Sequence, residues 1–352
     1  MIRILIVDDS KTETEILKHI FKSQSDMHVI GHAINGKEAI ELAEKLKPDL
    51  ITMDIHMPIM DGLEATRIIM SSHPVPIVII SSQINSKDIN TSFLALEAGA
   101  LCVLEKPKNI NAPHSAYTIK YIIDTIRSMA QIKVIKKRFF THRPSERKPV
   151  SIESPTPNNQ HYELIAIGTS VGGPQALKVI LSDLPTDFPL PIVVVQHMSH
   201  GFISGFTKWL NANSPLNVKD AVQDEELKSG FVYFAPDSFH LEVKRKNKKL
   251  YIHLAQGHPV SGFCPSATVL FHSVAKTCGA NSIGILLTGM GNDGAQGLLE
   301  LKKQNAHTLI QDQKSAIVFG MAGVAQSLGA VDKVIELEQF SAYLKKITQK
   351  SQ

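Results

Sequence analysis

Short, wholly apolar runs alternate along the chain with longer segments in which apolar residues recur at helical spacing. Over residues 1 to about 125 the runs are IRILIV, MHVIGHA, LITMDI, PIVIIS and LCVLEK, separated by amphipathic stretches such as GKEAIELAEKLK. Buried runs of this length, each followed by a helix, predict a parallel sheet covered on both faces. Beyond Ile126 the texture changes. KVIKKRFFTHRPSERKPVSIESPTPNNQH is rich in Lys, Arg, Pro, Ser and Asn and has little periodicity, which predicts the tail of a helix passing into a flexible linker. From about residue 161 the alternation resumes with ELIAIG, PIVVVQ, SIGILLTG and AHTLIQ as buried strands. One interruption, GFVYFAPDSFHLEVKRKNKKLYIHLA, alternates apolar and polar positions around a Lys/Asn-rich turn and predicts an antiparallel hairpin at the sheet edge. SAYLKKITQKSQ predicts a last helix fraying into a polar tail. The expected class is α/β with two doubly wound, mostly parallel sheets: a domain at 1–127, a linker at 128–160 and a second domain at 161–352.

Composition narrows the picture. A chain of 352 residues is long enough for two cores, since single cores seldom grow past roughly 250 to 300 residues. With 43% hydrophobic and 20% charged residues it has the balance of a globular protein. No run approaches the ~18 apolar residues of a membrane span. The N-terminal RILIV is cut off at once by Asp8-Asp9, against a secretory leader. A cytoplasmic protein without membrane insertion is expected. Cys102, Cys264 and Cys278 are odd in number and lie in no CxxC spacing, as in a reducing compartment. The net charge of +4 does not itself imply nucleic acid. The basic cluster Lys133, Lys136, Lys137, Arg138, Arg143, Arg147 and Lys148 lacks a recognition-helix pattern and reads as a solvated linker.

In the first domain, strand ILIV ends in Asp8-Asp9, LITM in Asp54, IVII in Ser81-Ser82 and CVLE in Lys106-Pro107. The carboxyl ends of strands in a doubly wound sheet line one crevice, so these groups are expected to converge. The acids can hold a hard divalent cation such as Mg²⁺, which together with Lys106 neutralises a phosphoryl group, and one aspartate can serve as its nucleophilic acceptor. VDDS, MDIHMPIMDG, ISS and EKP, in this order, resemble the receiver domain of two-component response regulators. The resemblance implies Asp54 as phosphoacceptor, Asp8 and Asp9 with Asp54 as the metal site, Ser81 as switching hydroxyl and Lys106 as the lysine that pairs with phosphate. His56, two positions after Asp54, stands where relatives often carry an acid or an amide. An imidazole titrates near neutrality, so His56 is expected to alter the phosphoryl lifetime.

The second domain turns on AIGTSVGGPQAL, residues 166–177. A P-loop needs Lys-Ser/Thr after its last glycine, but Gly173 is followed by Pro174; a dinucleotide fingerprint fails because Thr169-Ser170 takes the place of its second glycine. What fits is Gly168-Thr169-Ser170-Val171-Gly172, a G-x-S-x-G string on a strand-to-helix turn, with Pro174 suited to the first helical turn. PIVVVQHMSHG places His197 just past another buried strand, and SIGILLTGMGNDGAQG places Asp293 just past a third. All three lie on the same sheet edge, so a Ser170–His197–Asp293 triad is geometrically available: serine as nucleophile, histidine as base, aspartate as its orienting partner. Backbone N–H groups near Ser170 and around Met290 are the candidate oxyanion donors. His200, His240 and His258 are competing bases expected to have structural or surface roles, and no H-x-x-x-H spacing supports a metal site here.

IGTSVGGPQAL, VVQHM, GFVYFAPDSFHLEV, PSATVLFHSVAKTCGANSIGILLTGMGNDGAQGLLELK and AIVFGMAGVA resemble, in order and over almost all of residues 161–335, the catalytic domain of the chemotaxis response regulator protein-glutamate methylesterases. The resemblance maps Ser170, His197 and Asp293 onto the family's triad and Met290 onto its oxyanion loop, with Thr169 beside the nucleophile. It implies hydrolysis of γ-glutamyl methyl esters on methyl-accepting chemoreceptors with release of methanol, and deamidation of certain receptor glutamines. The implied cofactor is Mg²⁺ in the receiver and none in the esterase. The implied partners are the chemoreceptors and a chemotaxis histidine kinase, the chain acting as a monomer. Two departures stand out: Ala267 where an acid is commoner, and the lack of a Pro and charged residues after Met321. Both are expected to affect substrate or domain contacts before chemistry. A catalytically silent, phosphorylation-dependent binding module is the alternative; a DNA-binding output would need a helix-turn-helix, which the buried strands do not supply.

Overall fold

The structure, a computed structural model, describes residues 1–81, 86–107, 115–132, 134 and 161–348. The basic cluster of the linker and the last four residues of the tail lie outside them. The chain divides into two compact units, Met1–Ser145 and Glu146–Gln352. In the first, β1 (Ile2–Val7), α1 (Lys11–Lys22), β2 (Met27–Ala33), α2 (Gly36–Leu46), β3 (Leu50–Met53), α3 (Gly62–Ser72), β4 (Ile77–Ser81), α4 (Ser86–Ala98), β5 (Cys102–Glu105) and α5 (Ser115–Met129) alternate strictly. The strands form a parallel sheet in the order β2-β1-β3-β4-β5. Ile4, Leu5, Ile6, Leu50, Ile51, Ile77, Val78 and Ile79 are fully buried. A strand covered by helices on both faces has no polar side, hence the unbroken apolar runs. Three helices open beside the carboxyl ends of strands and are capped there: Ser10 accepts from the Glu13 N–H, Asn35 from Glu38 and Asp61 from Glu64.

The second unit runs β6 (Leu164–Thr169), α6 (Gly173–Ser182), β7 (Ile192–Gln196), α7 (Ile203–Ala212), β8 (Asn217–Asp220), β9 (Phe231–Phe234), β10 (His240–Lys246), β11 (Lys249–Ala255), α8 (Ala267–Thr277), β12 (Ser282–Leu286), α9 (Ala295–Lys303), β13 (His307–Gln311), α10 (Met321–Ser327), β14 (Lys333–Ile335) and α11 (Phe340–Thr348). Seven strands make one parallel sheet, β14-β13-β12-β6-β7-β9-β8. Strand order reverses between β6 and β12, so the crevice beyond their carboxyl ends is the natural site of this fold.

The antiparallel hairpin is present, but it takes only the second half of the stretch that predicts it. Phe231–Phe234 is β9, inside the parallel sheet, and β10 and β11 pair with each other as a sheet of their own. Asn247 and Lys248 both have positive φ, as a two-residue type I′ turn demands. The inner face (Leu241, Val243, Leu250 and Ile252) packs with Leu270, Phe271 and Val274 of α8 in one core. The outer backbone edge of β10 is satisfied by α8 hydroxyls: Ser273 Oγ accepts from the Val243 N–H at 3.0 Å, and Thr277 Oγ1 donates to the Val243 carbonyl at 2.9 Å. Side chains of α8 thus occupy part of the edge through which the hairpin could otherwise extend the main sheet.

Candidate functional site

Ser170 leaves the end of β6 on a turn that only glycines can complete. Gly172 has φ +81°, and a Cβ on it would meet Ile317 and Thr288 at 2.9–3.0 Å; a Cβ on Gly173 would meet Gln196 Oε1 at 2.0 Å. Gln196 holds the turn by donating through Nε2 to the carbonyls of Ser170 (2.8 Å) and His197 (2.7 Å). Thr288 closes the other side. Its carbonyl accepts from the Ser170 N–H at 3.0 Å and from Thr169 Oγ1 at 2.9 Å, and its hydroxyl donates to the Val171 carbonyl at 2.9 Å. The Thr169 hydroxyl thus ties β6 to the loop after β12, and the Ser170 N–H is committed to Thr288.

His197 follows β7, its N–H donating to the Thr169 carbonyl at 3.0 Å. Its Nε2 lies 2.9 Å from Asp293 Oδ2. Asp293, fully buried, sits over the N-terminus of α8. Oδ1 accepts from Ser266 Oγ (2.7 Å), Thr268 Oγ1 (2.7 Å) and the Thr268 N–H (3.1 Å), and Oδ2 from the Ala267 N–H (2.7 Å). Burial alone pushes this carboxyl up, but the bonds from His197, Ser266 and Thr268 outweigh it and hold the group at about 2. Asp293 is therefore an anion with its acceptor sites filled. By contrast, Ser170 Oγ and His197 Nδ1 are both buried and have no hydrogen-bond partner. Gln196 Oε1, in the turn beside them, is likewise buried without a partner, and buried polar groups left unsatisfied are costly.

The loop carrying Met290 runs past the serine. A Cβ on Gly289 would lie 2.8 Å from Ser170 Cβ, and the Gly289 carbonyl is pinned by the N–H groups of Gly320 and Met321. Met290 itself is half-buried beside this contact. The competing histidines are held differently. His200 and His258 are exposed; His240 is buried, accepting from the Ser266 N–H through Nδ1 at 3.2 Å, with Nε2 3.1 Å from the His258 carbonyl. Ala267 corrects the expectation of a substrate or domain contact. It is fully buried against Gly168 and Gly294, and its N–H serves Asp293, so a larger side chain would disturb the triad edge itself. Ser266 is the N-cap of α8, and nothing in its spacing or that of Thr268 announces that their hydroxyls also serve a distant aspartate.

In the first unit, Asp8, Asp54 and Lys106 meet at the carboxyl ends of β1, β3 and β5, Ser81 ends β4 and accepts from the Lys106 N–H through its carbonyl, and all four are buried. Lys106 Nζ lies 2.9 Å from Asp8 Oδ2 and 2.9 Å from Asp54 Oδ2, and it also bonds Glu13 Oε2. Asp8 accepts further from the Ser10 N–H at 2.9 Å and Asp54 from the Ile55 N–H at 2.7 Å. Burial pushes the Asp8 carboxyl up to about 6 against the pull of Lys106, and raises Asp54 in the same way. For Lys106, burial favours the neutral amine, but Asp54, Glu13 and Asp8 outweigh it and drive its pKa upward. Asp9 is exposed and stays outside the cluster; the third carboxylate is Glu13, from the first turn of α1, which the sequence reading missed. Oxygen atoms of Asp8, Glu13 and Asp54 lie within 4.8 Å of one another, a purely oxygen donor set that fits a hard divalent cation. His56 is exposed at the start of the loop that follows Asp54. All three cysteines are free thiols, and burial pushes Cys102 and Cys278 up to about 12.

Residues 165–344 match the family described as CheB methylesterase, and residues 4–117 match the response regulator receiver domain. The chain is 42% identical over 350 residues to the protein-glutamate methylesterase/protein-glutamine glutaminase 1 of Syntrophus aciditrophicus, covering 99% of this chain and 98% of that one. It is 41% identical over 352 residues to a protein of the same name, numbered 2, from Methanospirillum hungatei, with both chains fully covered. Among solved structures, the CheB methylesterase catalytic domain of Thermotoga maritima superposes with a TM-score of 0.51 at 36% identity, covering 52% of this chain and 97% of that domain.

Proposed function

The chain belongs to the CheB methylesterase family, an enzyme of the protein-glutamate methylesterase/protein-glutamine glutaminase type with a receiver domain, and from that premise we propose a phosphorylation-controlled acyl-serine hydrolase acting on chemoreceptors. Ser170 Oγ attacks the γ-carbonyl carbon of a glutamate methyl ester while its proton passes to His197 Nδ1. The C–O bond to the methoxy group then breaks, and His197 returns the proton to release methanol, leaving an acyl-serine. Water, deprotonated by the same nitrogen, attacks that carbon and frees a glutamate carboxylate and Ser170. A glutamine side chain follows the same route with ammonia as leaving group.

Asp293, held at about 2, does not take the proton at neutral pH. Its role is to fix the ring through Nε2 and stabilise the imidazolium. The backbone around Met290 is assigned to the oxyanion. The observation that carries this reading is the 2.9 Å bond from His197 Nε2 to the saturated, buried Asp293 carboxylate, which leaves His197 Nδ1, like the buried Ser170 Oγ, without a partner.

In the receiver, Asp54 is assigned as phosphoacceptor, with Lys106 and Ser81 answering the phosphoryl group and a histidine kinase as donor. Asp8, Glu13 and Asp54 would hold Mg²⁺, which when bound neutralises phosphoryl charge. The experiment is methanol release from methylated receptor membranes, with and without a small phosphodonor and Mg²⁺. Release vanishes in Ser170→Ala and loses its phosphodonor stimulation in Asp54→Asn; release that survives Ser170→Ala overturns the mechanism.

A further inference from the structure

The Asp293 bond fixes one atom of the His197 ring but leaves its plane loosely set. The ring torsion of histidine is broad, and a hydrogen bond tolerates a tilt that moves the opposite nitrogen off line. A second contact bears on the plane. Phe263 lies parallel to the imidazole, with ring centroids 3.8 Å apart and an interplanar angle of 1°. Phe263 is half-buried and is not among the side chains of the core around α8.

The segment that carries it is firmly built. Val260 and Phe263 exchange two backbone hydrogen bonds of 3.0 Å each, across a turn in which Ser261 (φ +52°) and Gly262 (φ +85°) are both left-handed. Three residues further on, Ser266 caps α8 and, with Ala267 and Thr268, fills the Asp293 carboxylate. One short stretch therefore delivers a flat ring to the face of the base and four hydrogen-bond donors to the acid behind it.

We propose that Phe263 is a positioning residue for the esterase reaction: its ring holds the plane of the His197 imidazole, whose Nδ1 is the base of that reaction, and lies face-on to the imidazolium formed as the serine attacks. The inference rests on the acyl-serine reading above. An aromatic face attracts a cation stacked on it, so the same contact that sets the geometry also favours the charged base. An aliphatic residue of similar bulk fills the space but offers neither a flat guide nor a π-face.

The test compares Phe263→Leu and Phe263→Tyr in the full-length protein, by methanol release from methylated receptor membranes across pH. Phe263→Leu is expected to lower kcat by on the order of 10- to 100-fold, with KM within about 2-fold and the acidic limb of the kcat profile moved to lower pH. Phe263→Tyr keeps the flat ring and is expected to stay within about 3-fold of the unaltered protein. Unfolding midpoints, followed by Trp209 fluorescence, check that both variants are folded. Equal losses in the two variants, an unchanged kcat, or a rise in KM alone overturns the proposal. Ser170→Ala, run alongside, tests the catalytic reading separately: if it retains activity, that reading fails irrespective of Phe263.

Discussion

The two sites of this chain stand at the same place in their folds, beyond the carboxyl ends of parallel strands, and resolve their charges in opposite ways. At the hydrolase site the buried acid is saturated and lowered, and the buried groups left without partners are all neutral, among them the Ser170 hydroxyl, an imidazole nitrogen and the Gln196 amide oxygen. At the receiver site the buried acids Asp8 and Asp54 are raised, and one ammonium is shared among three carboxylates. The first arrangement has its charge fully hydrogen-bonded. The second carries surplus negative charge that only a cation relieves, and Lys106 has its three N–H donors engaged until that happens. On the proposed reading, the first suits chemistry, which needs preorganisation, and the second suits regulation, which needs a state that a ligand can shift.

The contrast can be broken most sharply at Asp293. Asp293→Asn keeps the size but presents an amide to His197 Nε2, favouring the wrong tautomer, and methanol release is expected to fall by about 10⁴-fold; a loss under tenfold means that the saturated carboxylate is not part of the catalytic device. The receiver gives the opposite sign. Asp8 has a folded-state pKa of about 6 against an ordinary 3.8, so whatever stability it contributes below the ordinary value is lost as pH rises through 6. In the presence of EDTA, Asp8→Asn is expected to stabilise the receiver by about 1–3 kcal/mol at pH 7.5. The gain disappears at pH 4. Denaturant titration with amide exchange of β1 as the probe reads this, and a destabilised variant at pH 7.5 contradicts it. Glu13→Gln removes one of the clustered charges and is expected to weaken Mg²⁺ binding by about 3- to 10-fold in calorimetry, more than Asp9→Asn does; the reverse order returns Asp9 to the site. The smallest effect is expected at His56, exposed on the loop after Asp54. His56→Glu changes the phosphoryl half-life severalfold, and equal half-lives rule out a role for the imidazole.

Much of this was legible in the sequence because strand ends are visible in it. Apolar runs that stop at Asp8, Asp54, Ser81, Lys106, Ser170 and His197, and one that gives way to the glycine-rich loop carrying Asp293, point to the two crevices before any coordinates, since in a doubly wound sheet every such end faces the same way. Short polar strands were not legible: Asn217–Asp220 and Lys333–Ile335 are edge strands with too few buried positions to leave a pattern. Phe231–Phe234 alternates like the hairpin that follows it, and only its pairing with β7 and β8 puts it in the main sheet. Within the sites, side chains that act from another element escaped. Glu13 reaches Lys106 across 93 positions, Thr268 reaches Asp293 across 25, and Phe263 stacks on His197 from a loop whose sequence reads as connection only. Periodicity reports which face a residue takes, whereas these contacts depend on how faces of distant elements meet.

The central claim is that Ser170 and His197 form a ready nucleophile and base. A fluorophosphonate probe tests it most directly, because it forms a stable bond only with a serine oxygen activated by a neighbouring base. Intact mass and peptide mapping should show one adduct, on Ser170, in the full-length protein, with labelling abolished in Ser170→Ala and slowed at least about 100-fold in His197→Gln. An adduct on another residue, or labelling of Ser170 at the same rate without the imidazole, would contradict the account.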